Sequence, residues 1–233
     1  MNNRLYVALP SYDGSRSNTL GILDLQSTLG DRAILHESTG SLLTHNFNTN
    51  LCEALNRREE FGLSHFILLH SDVLPLDPNW ITLLLSEMSR VDAQVLSLVL
   101  PIKSADGLTS TALDTDEWYP RRLTMAEVMS LPVTFTHEKL LINTGCLLIR
   151  FDEPWVEKVC FQTKDAIRRD ADGKFHAVAE PEDWSFSRQC RSLGVRMFAT
   201  RIVKAVHQGT NGYRNDVVWG KPVDEDYVDA QMP

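Results

Sequence analysis

Residues 66–75 read FILLHSDVLP, four apolar side chains followed by His70, Ser71 and Asp72. An unbroken apolar run of this length, bounded by turn formers, marks a strand buried on both faces, as in the parallel sheet of an α/β protein. Ligands of such sheets lie at the carboxyl ends of the strands, so Asp72 stands where chemistry is expected, although Asp is also common where strands run into turns. Upstream, residues 4–9 predict a first strand stopped by Pro10, with Ser17 capping a helix to about Gly30. A short strand over 33–36 leads to Glu37. A helix opening at Thr44 or Asn46 then carries Phe47, Leu51, Ala54 and Leu55 on one face, and the next strand covers 65–69. Downstream, Pro75 and Pro78 precede a helix with Trp80, Leu83, Leu84 and Met88 on one stripe, followed by a strand over 95–100. Strands alternating with helices predict an α/β fold with a mainly parallel central sheet in three layers.

Residues 101–138 break that rhythm with Pro, Gly, Thr, Ser and charged residues, as an insertion or a pair of edge hairpins would. Strand character returns over 140–150 around Gly145. Residues 168–183 read as a loop, 183–193 as a helix and 196–206 as a last strand, and the remainder as a mobile tail. The length of 233 residues and the hydrophobic content of 43% suit one packed domain. The opening MNNRLYVALP lacks the charged, apolar and small-residue zones of a secretory signal, and no apolar run approaches membrane-spanning length, which predicts a cytoplasmic protein without a membrane span. The four cysteines stand far apart, with no CxxC pair, against a zinc ribbon or a disulfide framework. A net charge of −8 argues against extensive nonspecific nucleic-acid binding.

Three polar positions fall at element ends. Asp72 and His207 offer a carboxylate and an imidazole, suitable ligands for a divalent cation whose other positions are filled by diphosphate oxygens and water. Glu182 and Asp183 follow Pro181 at a helix start, where acidic residues also favour the helix dipole; a carboxylate here can act as general base towards a hydroxyl or stabilise charge on a reacting sugar. Trp184 can floor a sugar ring or fill the core, and His70 can contact ribose or metal. Over residues 208–220, Gly209, Gly212 and Gly220 with Tyr213, Arg214 and Trp219 predict a lid that closes on a bound diphosphate.

The succession LYVALPSYDG, FILLHSDVLP, NTGCLLIR and PEDWSFSRQCRSLGVRMFATRIVKAVHQG resembles the GT-A class of glycosyltransferases over most of residues 4–210. The resemblance implies a GT-A-like three-layer sandwich in one domain, with 101–138 as an acceptor-side insertion and 208–233 as lid and tail. It implies a metal-dependent transfer from a nucleotide-sugar donor, UDP-linked, to an unknown hydroxyl acceptor, with Mn2+ or else Mg2+. By position Asp72 resembles the second Asp of the DxD motif and His207 the distal metal ligand. Glu182 or Asp183 matches the catalytic carboxylate, while Ser11, Asp13 and Glu37 lie on the nucleoside-binding loops. His70 adds to the donor site, as do Arg214 and Trp219 of the lid, and Gly145 and Trp184 fall on the acceptor side. His70 departs from the family pattern, standing where the first Asp of DxD would be. The rival readings are a nucleotidyltransferase of related fold and an inactive GT-A-like binding protein. A hydroxymethylated base in DNA is a further option for the acceptor.

Overall fold

The computed structural model describes residues 3–151 and 153–220; the expected tail beyond 220 lies outside them. The elements, in chain order, are β1 (Leu5–Ser11), α1 (Thr19–Leu29), β2 (Ala33–Thr39), α2 (Leu43–Phe61), β3 (His65–Leu69), β4 (Val73–Pro75), α3 (Trp80–Arg90), β5 (Val95–Leu98), β6 (Leu108–Leu113), β7 (Arg121–Thr124), α4 (Met125–Ser130), β8 (Thr134–Phe135), β9 (Leu140–Leu141), β10 (Cys146–Arg150), β11 (Lys164–Arg169), β12 (Phe175–Glu180), α5 (Glu182–Ser192), β13 (Met197–Thr200), β14 (Ala205–Gln208) and β15 (Gly212–Arg214). The central sheet has seven strands in the order β2-β1-β3-β10-β5-β13-β8. Strands β2, β1, β3, β5 and β13 run one way, whereas β10 and β8 are antiparallel to their neighbours. The sheet is thus mainly parallel, as expected.

Alternation along the buried strands divides the core. Tyr6 and Ala8 pack with Phe47 and Leu51 of α2 and Phe186 of α5, while Leu5, Val7 and Leu9 pack with Ile22 and Leu25 of α1 and Trp80 and Leu84 of α3. Strands buried on both faces show no polar alternation, which is why β3 reads as a continuous apolar run. Among the described residues no helix is long and apolar enough to cross a membrane.

Several boundaries differ from expectation. Ser17 does not cap α1; its amide and hydroxyl both donate to the Ser71 carbonyl, at 2.9 and 3.2 Å, and Asn18 Nδ2 donates to the His70 carbonyl at 2.8 Å. These groups brace the turn that carries Asp72. Pro10 lies inside β1, beyond its pairing with β3, and faces Ser38 of β2, so its missing N–H interrupts no central ladder. The stretch 140–150 is not one strand. β9 joins β6 and β7 in a small antiparallel sheet and β10 enters the central sheet. Residues 196–206 divide likewise into β13 and β14. The expected loop 168–183 is instead the end of β11, the turn, β12 and the first residues of α5; β11 and β12 form a hairpin of six residue pairs closed at Asp170–Lys174, where Gly173 takes the left-handed φ of 82°. The insertion 101–138 supplies β6, β7, α4 and β8. It is fastened to α5 by Arg188 and Arg191, whose Nη2 and Nη1 reach the Asp114 carboxylate at 2.6 and 2.7 Å.

Candidate active site

The turn after β3 places Asp72 beside the strand β14, whose Gln208 amide donates to the Asp72 carbonyl at 2.7 Å. His207 Nε2 consequently lies 3.7 Å from Asp72 Oδ2. On its other side His207 Nδ1 is 2.7 Å from the Pro101 carbonyl. A carbonyl can only accept, so Nδ1 carries a proton and Nε2 is the ring nitrogen that faces Asp72. Lys103, from the loop after β5, closes the group with its ammonium on Asp72 Oδ2. Burial pushes the Asp72 carboxyl up, but the hydrogen bonds from His207 and Lys103 and the nearby charges outweigh it and hold it well below the usual carboxylate range. Asp72 Oδ1 is shielded from solvent and has no protein partner. The expected pairing of Asp72 with His207 therefore exists at the carboxyl edge of the sheet. Lys103 carries no signal in the sequence, because its neighbourhood is an irregular loop and only the fold brings it to Asp72.

His70 leaves β3 towards α2, where its ring lies 4.9 Å from that of Phe47. Burial pulls this imidazole down to about 4 despite the Asp72 charge, so it is neutral at ordinary pH, with Nε2 shielded and unpartnered. A neutral ring here suits a hydroxyl or ribose partner.

The acidic pair is joined to this group through the segment before β10. The His70 amide donates to the Gly145 carbonyl at 2.9 Å, and the adjacent Thr144 hydroxyl donates to Glu182 Oε1 at 3.1 Å. Gly145 is required by close approach, since a Cβ there would stand 2.6 Å from Leu100 Cδ1 and 3.3 Å from Val73 Cγ2. Asp183 is 9% exposed, with Oδ1 accepting from the Trp184 amide at 2.8 Å. Burial, reinforced by the Glu182 charge, raises its carboxyl well above the usual range. Trp184 is buried rather than open: its Nε1 donates to the Ser110 carbonyl at 3.1 Å and the Arg122 guanidinium sits 4.5 Å from the ring centroid.

Of the three candidates expected on nucleoside-binding loops, only Asp13 lies on a loop; Ser11 is the last residue of β1 and Glu37 lies inside β2, because the pairing of these strands runs on to Ser11 and Thr39. The Ser11 hydroxyl accepts from the Gly14 amide at 3.0 Å. Asp13 is exposed and held below the usual range by the Ser15 hydroxyl and amide. Glu37 faces Arg16 at 3.6 Å. Arg16, also without a signal in the sequence, is largely enclosed, bonded to the Leu9 carbonyl, and keeps a buried Nη1 without a partner. Residues 208–220 are folded onto the body. Asn215 is buried, accepting from the Ala205 amide at 2.8 Å and donating to the Val99 and Val203 carbonyls at 3.2 and 3.1 Å. Arg214 pairs with Asp216, and the Tyr213 and Trp219 rings stand 5.3 Å apart. Of the three glycines expected to give a lid its bending points, Gly220 takes a left-handed φ of 96°, and Gly209 and Gly212 do not.

Whether these residues suit a divalent cation is tested by their free atoms. Asp72 Oδ1 has no protein partner and His207 Nε2 is left clear of the Pro101 carbonyl, and hard carboxylate with imidazole is a Mn2+-type donor set. The fit is that of an open site with two protein ligands, since the described residues contain no cluster of three or more His, Cys, Asp or Glu able to hold a metal.

No known family pattern and no curated protein matches the chain in sequence. Among solved structures, A197 from STIV has a TM-score of 0.54 at 13% identity, covering 95% of this chain and 99% of that one. That likeness is one of fold. A glycosyltransferase involved in the glycosylation of the major capsid of PBCV-1 has a TM-score of 0.37 at 13% identity over 66% of this chain and 63% of that one. Mannose-1-phosphate geranyltransferase from Thermus thermophilus has 0.39 at 12% identity over 64% and 57%. Both of these likenesses are partial and weak.

Proposed function

We propose that this chain is a glycosyltransferase of GT-A-like three-layer build that moves a sugar from a UDP-linked donor to a hydroxyl acceptor with a divalent cation, Mn2+ before Mg2+. The observation that carries the reading is the convergence of Asp72, His207 and Lys103 on one sheet edge that Gly145 and Thr144 connect to Glu182, the chain neighbour of the buried Asp183. Asp72 and His207 would hold the cation, whose chemistry there is to neutralise the charge of the departing diphosphate. Lys103 exchanges its contact with Asp72 for one with a phosphate oxygen. The neutral His70 meets the ribose. As the acceptor oxygen bonds to the anomeric carbon and the bond to the diphosphate breaks, the acceptor proton passes to Asp183, whose raised affinity for it suits a general base. Thr144 and Arg122 position the acidic pair.

A panel of nucleotide sugars, incubated with and without Mn2+ and followed by release of the nucleoside diphosphate, tests the reading. UDP release from at least one UDP-sugar, lost in Asp72→Ala and His207→Ala, is expected. Turnover of a nucleoside triphosphate with a sugar phosphate instead would assign the chain to nucleotidyl transfer. Donor turnover by both variants at the parental rate in chelator would remove the metal site.

A further inference from the structure

We infer a second ligand site, for a phosphate-class oxyanion, in the cavity between the edge strand β2 and the start of α2. The cavity has a volume of about 420 Å3 and is lined by His36, Ser38, Thr39, Ser41, His45 and Asn46 among others, with no acidic side chain among its lining residues. It opens beside the first turn of α2, a helix of 19 residues whose start has no side-chain cap and no acidic residue in its first turn. The early amides and the positive end of the dipole are therefore uncompensated by protein.

A second, independent observation gives this helix start a ligand. Asn46 is 7% exposed and its Nδ2 has no hydrogen-bond partner. The orientation of its amide is determined by its neighbours. Asn50 Nδ2 lies 2.8 Å from the Asn46 carbonyl, which can only accept, so the Asn50 atom is the donor; the Asn46 side-chain atom 3.2 Å from it must then be Oδ1. Asn46 lines the cavity, and its Nδ2 is left as a buried donor without a hydrogen-bond partner. A donor left unpaired in this way costs about 1–3 kcal/mol, which an accepting ligand recovers. Backbone amides, one side-chain amide, hydroxyls and two imidazoles, without a carboxylate, are the recognition chemistry of an oxyanion. The site is lined by none of the residues assigned to the reaction, and it stands whether or not a sugar is transferred.

The test is titration of the full chain with inorganic phosphate, read by amide resonances residue by residue, on the parent and on Asn46→Asp. The substitution retains the Oδ1 acceptor for Asn50 and replaces the donor by a carboxylate oxygen near the start of α2, where the helix dipole offsets part of the cost of burying it. In the parent, phosphate is expected to shift the amides of Leu43, Thr44 and His45 together with the Asn46 side-chain NH2. In Asn46→Asp, affinity falls at least about tenfold in a protein whose amide spectrum remains that of the folded parent, the scale of a lost hydrogen bond to a charged group. Phosphate shifts confined to the surroundings of Lys103 and His207, or equal affinity in the two proteins, would overturn the site. UDP in place of phosphate separates this pocket from the reaction site: UDP that shifts the surroundings of Lys103 and leaves α2 unmoved supports two sites, and UDP that shifts α2 in competition with phosphate makes the pocket part of the donor site and overturns the proposal.

Discussion

Asp183 is the residue at which stability and activity pull apart. Its carboxyl is buried and raised, so the native state binds the proton more tightly than the unfolded chain does. The stability associated with it is complete below the unfolded value near 4 and is lost as the pH rises towards the folded value. Asp183→Asn retains the oxygen that accepts from the Trp184 amide and removes the charge. It should raise the melting temperature at neutral pH, by a stabilisation of about 1 kcal/mol or more, and flatten the pH dependence of stability above 4. The same substitution should lower turnover by about 10²-fold or more at unchanged UDP affinity. Thermal melts against pH, together with steady-state rates, check both halves. Lys103 makes a second prediction. If its ammonium passes from Asp72 to the diphosphate, Lys103→Met weakens UDP binding by about tenfold and reduces its dependence on salt. Calorimetry showing tighter binding instead would mean that the lysine only occupies the carboxylate. Asp72 and His207 are legible in the sequence because each ends an apolar run. Lys103 and Arg16 are not, since each sits in a loop and gains its place through contacts made across the sheet.

At the scale of elements, the segment 205–215 pairs with β4 through β14 and is fastened further by the side chain of Asn215. Asn215 satisfies the Ala205 amide and the Val99 and Val203 carbonyls, so Asn215→Ala leaves one buried donor and two acceptors unpaired. A loss of about 2–4 kcal/mol in denaturant unfolding is expected, with a fall in Mn2+-dependent UDP affinity because β14 carries His207. Within the stretch expected as a lid, this bonding is not legible in the sequence: composition shows where a chain can bend, not where a buried amide is bonded. The β11–β12 hairpin escapes the sequence because its residues are exposed on nearly every side, which removes the alternation that marks a strand. Its one signal is Asp172-Gly173 at the turn. The strands β1, β3 and β5 are legible to within two residues at each end because burial on both faces leaves an apolar run. The division of 140–150 is not, since β9 and β10 are both apolar and only the close-packed Gly145 separates their sheets.

The whole molecule carries a net charge of −8 yet sets Lys103 and Arg16 on loops at the carboxyl edge of the sheet. If a diphosphate binds at this edge, salt should weaken its binding. The fold shared with A197 from STIV is consistent with such an edge and says nothing of the sugar. The central claim is that Asp72 and His207 make nucleotide binding depend on a divalent cation, and isothermal titration of UDP in Mn2+ and in chelator measures it directly. The account predicts at least about tenfold tighter binding with Mn2+, and loss of that difference in Asp72→Asn and His207→Ala. Equal UDP affinity in Mn2+ and chelator, or a Mn2+ effect that survives both substitutions, would contradict it.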